Sequence, residues 1–303
     1  MKKTMNARGG QARRLVLWLL CLLLAAGCCG AALAEEPVNF VADAEADSLG
    51  VMKYSLDTPT LKYTIEVFVM HGERCYLTRL WVQDPARQIQ KATGEWRKTL
   101  RSSKEMAEDL PDAMLAVNGS GYVSPRYPEI PENYPGASED YYFTPLGSVT
   151  VTNGEVFRNL DGVPYYGLAL TEDGLQMYTG ADNEAVLAEQ PVQTWSFYTS
   201  CPMLRNNEDL LPEEWDFADR RAQRTIIARL DKNNYLILTV TKDLRGGISL
   251  RRAVTFFQEN FDAEWVYNLD GGVSSALLVK NDMGKWKAIL GGAKDEDIMA
   301  FGK

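Results

Sequence analysis

Asn268-Leu269-Asp270-Gly271-Gly272-Val273-Ser274-Ser275 is the stretch on which the reading of this chain turns. The apolar run from Trp265 to Leu269 reads as a buried strand that delivers an acid to its end. Gly271 and Gly272 let the backbone approach a ligand closely and leave N–H groups free to point at it. Ser274 and Ser275 add two hydroxyls. A carboxylate at a strand end beside backbone donors suits catalysis. The same letters also spell an ordinary Asp-Gly turn, and this stretch alone leaves both readings open.

Three further constellations lie outward from it. The continuous apolar run Ala113-Met114-Leu115-Ala116-Val117 ends in Asn118-Gly119-Ser120-Gly121, a set of polar groups able to hold a sugar hydroxyl or a phosphate. Arg224-Thr225 opens the strand-like Thr225-Ile226-Ile227-Ala228. Its arginine can clamp a phosphate through two parallel hydrogen bonds, or belong with Arg220 and Arg221 to a solvated basic cluster. Leu244-Arg245-Gly246-Gly247-Ile248 leads into a helix capped by Ser249, with Leu250, Val254, Phe257 and Phe261 on one side. A glycine loop at a helix start is an anion site by default, but the spacing is not that of a P-loop.

The rest of the chain reads mostly as strands. Tyr63, Ile65, Val67 and Val69 alternate, and Cys75 to Gln83 follows after a turn. Ser102-Ser103-Lys104-Glu105 fits a capping box that opens a short helix ended by Pro111. Asn153-Gly154 and Glu172-Asp173-Gly174 each sit between strand-like runs and predict hairpins. Residues 123–146, rich in proline and aromatics without periodicity, predict a long loop. The expectation is a mixed α/β (α+β) fold: one compact domain over 61–303 with a dominant β-sheet and flanking helices. Residues 35–60, acidic and weakly patterned, read as a linker or loosely ordered arm.

The 303 residues, 46% hydrophobic and 24% charged, are enough for a sizeable core and exclude wholesale disorder. The single histidine, His71, excludes three-His zinc sites and the two-His metalloprotease motif. It reads as an exposed turn residue. No closed metal site and no cofactor motif is visible. The N-terminus joins Lys2, Lys3, Arg8, Arg13 and Arg14, without an acid, to an apolar run over 15–26 and Ala32-Leu33-Ala34. The apolar run is shorter than the ~20 residues that span a bilayer. This predicts a secretory signal peptide over 1–34; an uncleaved anchor is one alternative, and a lipoprotein cleaved before Cys28 another. The chain has a net charge of −9, made more negative by five once that leader is removed. Such a surface argues against nucleic acid or an anionic membrane as the main partner. Cys75 and Cys201 remain, as one disulfide or as two buried thiols.

The order of the pieces, an apolar strand ending in Asn118-Gly119, then Arg224-Thr225 on a strand, a glycine loop with helix, and Asn268 to Ser275, resembles the phosphodiester glycosidase family over about residues 62–303. The resemblance implies a secreted, bacterial, cell-surface hydrolase. It would cut the anomeric C–O bond of a sugar-1-phosphodiester, N-acetylglucosamine-like, in a surface polymer or exopolysaccharide. It implies Asp270 as base or nucleophile and Arg224, with the amides near Gly246, Gly271 and Gly272, as the phosphate clamp. Asn118, Gly119, Ser120, Thr225, Gly247, Asn268, Ser274 and Ser275 are the further substrate-contact candidates, with Asn118 and Asn268 orienting either sugar hydroxyls or Asp270 itself. The chain departs from the family pattern at Ser120, Ala228 and Val273. It also departs in its tail, where Lys294-Asp295-Glu296-Asp297-Ile298-Met299 stands in place of an arginine followed by an S-D-I-I-like strand. These departures keep a non-catalytic sugar-phosphate-binding protein open as the alternative.

Overall fold

A computed structural model describes residues 47–122, 143–197 and 201–302. The expected signal peptide over 1–34 with its Cys28 alternative, residues 35–46 of the expected arm and 123–142 of the expected long loop lie outside the described residues. Among the described residues no helix is long and apolar enough to cross a membrane.

Three antiparallel sheets make the fold. The largest has eight strands in the order β1 (Val51–Asp57), β2 (Leu61–Met70), β3 (Glu73–Val82), β15 (Asn234–Val240), β14 (Arg224–Arg229), β16 (Trp265–Asn268), β12 (Pro202–Arg205), β13 (Glu208–Asp209). The second runs β10 (Gly174–Ala181), β9 (Tyr165–Thr171), β11 (Gln193–Trp195), β7 (Val149–Thr152), β8 (Glu155–Asn159). The third runs β18 (Trp286–Leu290), β17 (Leu277–Lys280), β6 (Ala113–Asn118), β20 (Asp297–Gly302), β4 (Ile89–Thr93). A two-stranded pair joins β19 (Lys294–Asp295) to β5 (Arg101–Ser102).

Side chains on successive strand residues point to opposite faces, so each sheet feeds two layers. One face of all three sheets meets in a common core that includes Ile65 and Ile227, Leu168 and Trp195, and Val117 and Phe301. The outer faces are each covered by a short helix. Helix α5 (Leu250–Asn260) lays Leu250, Ala253, Val254 and Phe257 on Ile226, Ala228, Leu236 and Leu238 of the large sheet. Helix α2 (Ser103–Glu108) covers Ala116 and Ile298, and α3 (Asn183–Ala188) places Val186 over Val149 and Ala169. The other helices, α1 (Pro85–Gln88) and α4 (Asp216–Asp219), are single turns.

The fold is therefore mostly β: the expected dominance of strands holds, but the flanking helices of the mixed α/β expectation are few and short. It has three sheets rather than one dominant sheet, and the longest described helix has 11 residues. A second difference lies in the arm. Residues 51–57 form an edge strand paired antiparallel with β2, from Val51 against Val67 to Asp57 against Lys62. Met52, Tyr54 and Leu56 face inward in strict alternation, a period-2 signal diluted by the lysine and serine between them. The locally encoded expectations hold. Ser102 and Glu105 form a reciprocal capping box. Asn153 and Gly154 both take positive φ (52° and 78°), as a two-residue hairpin turn between β7 and β8 requires. Cys75 and Cys201 are buried and unbridged.

Candidate functional site

The large sheet and the third sheet meet where β6 and β16 end and β14 and β20 begin. Antiparallel pairing forces this. Ile226 lies opposite Asn268, so Arg224 and Asp270 flank the same edge of the large sheet. Asn118 lies opposite Ile298, so Asn118-Gly119 and Asp297 share an edge of the third sheet.

Asn118 ties the two edges together. It is fully buried, its Nδ2 donates to the Asp270 carbonyl at 2.7 Å, and its Oδ1 accepts from Thr225 Oγ1 at 2.7 Å and the Ala276 amide at 3.0 Å. Every polar atom of its amide is thus spent on protein. Of the two duties expected of Asn118, the hydrogen bonds match the one toward Asp270, whose backbone it holds, and Thr225 Oγ1 supports Asn118 in that position. The Asp270 amide donates to the Gly119 carbonyl at 3.0 Å.

Ser120 is buried as well. Its amide and hydroxyl donate to the two oxygens of Asp297 at 2.7 and 2.9 Å, and its Oγ accepts from the Ser196 amide. Gly119 is what lets that carboxylate in, because a Cβ there would stand 1.9 Å from Asp297 Oδ1. Ser120 is therefore a support for Asp297 rather than a ligand contact. Asn268 faces Cys201 and is buried. Ser275 is buried too, and its amide donates to the Gly272 carbonyl.

Asp270 is the half-buried carboxylate that this framework presents. Its Oδ1 accepts from the Gly271 amide at 2.7 Å. Burial pushes its pKa up to about 6, and Asp297 adds to the rise; Ser274, Gly271 and Arg224 pull the other way. Arg224 is 1% exposed, lies over the Phe217 ring at 4.9 Å, and donates from Nη2 to the Arg220 carbonyl at 2.7 Å. Burial lowers its pKa to about 10, so it stays cationic at neutral pH. Gly271 packs against it: a Cβ on Gly271 would stand 3.8 Å from Arg224 Cδ. Gly272 turns its amide inward to the Gln223 carbonyl at 2.8 Å, which removes it from the expected phosphate donors.

The loop around Gly246 and Gly247 is also not free. Its anion is already present in the chain. The buried Glu73 carboxylate accepts from the amides of Asp243 (2.5 Å), Leu244 (3.3 Å) and Arg245, and Gly247 adds a further contact. These hydrogen bonds hold Glu73 below the usual carboxylate range against the opposing effect of burial.

Sequence reasoning missed the other half of the site. Asp295, Glu296 and Asp297 are all fully buried beside Asp270. Asp297 forms an ion pair at 3.1 Å with Lys91, whose ammonium is sealed from solvent, donates to the Thr194 carbonyl and lies over the Trp195 ring at 5.3 Å. No full hydrogen bond reaches either carboxylate oxygen of Asp295 or Glu296, although the Ser274 hydroxyl lies beside both Asp295 and Asp270. Burial first, and then the neighbouring carboxylates, push Asp295 and Glu296 well above the usual range. Their surroundings favour the protonated over the charged form. The run Lys294–Asp297 was visible in the sequence, but only as a departure. Nothing local ties it to Lys91, some 200 residues away.

The arrangement offers one carboxylate raised to about 6, one dry guanidinium and a set of buried acids. A cleft of about 760 Å³ lined by Glu172, Asp173, Tyr178 and Glu189 shares no residue with it.

A family model described as phosphodiester glycosidase matches residues 111–296. Among solved structures, the chain is similar to the zebrafish N-acetylglucosamine-1-phosphodiester alpha-N-acetylglucosaminidase catalytic domain auto-inhibited by its pro-peptide. The TM-score is 0.62 at 14% identity, covering 89% of this chain and 94% of that one. It is also similar to a hypothetical protein from Synechocystis, with a TM-score of 0.52 at 13% identity over 83% of this chain and 64% of that one. No curated protein matches the sequence.

Proposed function

This chain belongs to the phosphodiester glycosidase family, and from that premise we propose that it hydrolyses a sugar-1-phosphodiester at the anomeric C–O bond. The observation that carries the reading is the placement of Asp270 and Arg224 on one sheet edge, the carboxylate poised near 6 and the guanidinium held dry beside it.

In the reaction, water adds to the anomeric carbon and the bond from that carbon to the phosphate oxygen breaks. The electron pair leaves with a phosphate monoester. A second phosphate pKa of ~6 makes this a stable leaving anion, so protonation by a general acid is less necessary than for an alcohol. Asp270 acts as the base that takes the proton of water, or as the nucleophile that forms a glycosyl-enzyme. Inversion at the anomeric carbon identifies the first role and retention the second. Arg224 meets the charge growing on the phosphate in a low-dielectric setting, where such contacts are strongest. Gly271 and Ser274 orient the Asp270 carboxylate. Burial disfavours the charged forms of Asp295 and Glu296, and Asp297 is paired with Lys91, which lessens the repulsion an anion meets beside these acids.

The substrate we propose is an N-acetylglucosamine-like unit of a polymer outside the cell, reached through the export leader. The test uses purified protein and a panel of sugar-1-phosphodiesters, with released reducing sugar as the readout. Asp270→Asn is expected to lower turnover by ~10²–10⁴-fold or more while keeping the folded spectrum. Sugar 1-phosphate as product would instead mean P–O cleavage. Ligand binding without any product would favour a binding protein, as the tail departures suggest.

A further inference from the structure

On the outer side of Arg224 the fold collects cations. His71 and Arg252 are in contact, Nδ1 to Nη1 at 2.6 Å, and both are exposed. Since guanidinium only donates, Nδ1 accepts and a neutral His71 carries its proton on Nε2. Arg221 and Arg245, also exposed, complete the group: both act electrostatically on His71, and Arg245 lies along Gly72. The four side chains come from four separate segments: the β2–β3 turn, the approach to β14, the Gly246 loop and the first turn of α5.

No carboxylate among the described residues forms an ion pair with Arg221, Arg245 or Arg252. The acids of the same segments are taken. Glu73 is bound to loop amides, Asp243 pairs with Arg74 at 3.8 Å, and Asp219 pairs with Arg251 at 3.2 Å. Unpaired like charges held together repel one another, and in a chain of net charge −9 this grouping is out of character. An anionic ligand removes that repulsion.

The cluster adjoins the candidate site. Arg221 Nε donates to the Gly247 carbonyl at 3.0 Å, and Arg224 donates to the Arg220 carbonyl. Arg221 and Arg224 are three positions apart in the chain, so their Cα atoms are at most ~11 Å apart.

We propose that His71, Arg221, Arg245 and Arg252 form a second anion subsite. It holds a neighbouring phosphodiester of a polymeric sugar phosphate while Arg224 and Asp270 engage the first. This inference rests on the glycosidase reading above and deepens it: the substrate is a polyanionic chain rather than a single diester. A membrane surface is the weaker match. Leu244, 83% exposed, is the large apolar side chain the cluster offers for insertion, whereas continuity with Arg224 favours a chain threaded along both.

The test compares two ligands: a single N-acetylglucosamine-1-phosphodiester, and a tetramer of N-acetylglucosamine joined by such bridges. Binding is measured calorimetrically to the full-length Asp270→Asn protein, which does not consume them, with and without R221Q, R245Q and R252Q. Tetramer affinity is expected to fall ~10-fold or more in the triple variant and to lose most of its salt dependence. Affinity for the single diester should stay the same. Equal tetramer affinities would overturn the proposal, as would failure of the tetramer to bind the protein with its cluster intact. Cluster-dependent binding to phosphatidylglycerol vesicles with unchanged tetramer binding would overturn it in favour of a membrane. Reducing sugar from the single diester, assayed with Asp270 intact, tests the glycosidase reading separately.

Discussion

Asp270 owes its chemistry to where its chain neighbours stop. Burial and the nearby Asp297 raise its pKa to about 6, so the reactive carboxylate forms as pH rises through that value. The kcat/KM profile is therefore expected to climb through pH ~6 and level off above it; a profile flat from pH 4 to 8 would remove Asp270 from the base or nucleophile role. Glu296 makes a different prediction. Its folded pKa is well above the ordinary value, and the unfolded chain releases its proton near ~4.3. The folded state then binds the extra proton, so its contribution to stability is complete below that value and declines as pH rises toward the folded pKa. Glu296→Gln, a neutral mimic of the acid, should raise Tm at pH 8 and change it little at pH 4. A drop in Tm at pH 8 would show that the charged form is the one accommodated. At this scale Asp270 and Arg224 were legible as candidates, because strand ends and residue types show in sequence. For Asn118 the sequence left two duties open, toward a sugar or toward Asp270, and those of Thr225 and Ser120 were not legible. A buried polar side chain reads the same whether it faces a ligand or another strand.

At the scale of elements, the site depends on two sheet edges being fastened side by side. Asn118 at the end of β6 carries that fastening, reaching β14 through Thr225 and the β16–β17 connection through Asp270 and Ala276. Asn118→Ala leaves buried donors and an acceptor unpaired at roughly 1–3 kcal/mol each. We expect a clear fall in Tm together with lost turnover, and an intact Tm in thermal melts would refute the fastening role. Elements whose cause is local were readable: the Ser102–Glu105 box, the Asn153-Gly154 hairpin and the amphipathic α5. Strands β4, β12 and β20 were harder. Ile89-Gln90-Lys91-Ala92-Thr93 buries a lysine, which hides its strand pattern, and β20 opens on a buried aspartate.

Across the whole molecule, Lys91 and Asp297 join the first and last strands of the third sheet in chain order by a sealed ion pair. Lys91→Met strands a carboxylate among other acids and should destabilise the fold by about 3–5 kcal/mol, whereas the Lys91→Met/Asp297→Asn pair should recover much of this. Denaturant unfolding of the two variants checks it; equal losses in both would mean that packing, not charge, dominates.

The sequence by itself determined the family, the antiparallel strands with local turns, the helix caps and the two charged side chains, Asp270 and Arg224, that strand ends project. Those features depend on residues within a few positions of one another or on a motif in order. Tertiary structure alone decided that the Gly246 loop is occupied by Glu73, which of its two duties Asn118 performs, that Ser120 bonds Asp297, and that Asp295, Glu296 and Asp297 lie beside Asp270 with Lys91 paired to Asp297. Each of these is a contact between segments far apart in the chain. Whether a buried polar group pairs, protonates or waits for a ligand depends on which atoms the fold places within about 3 Å of it.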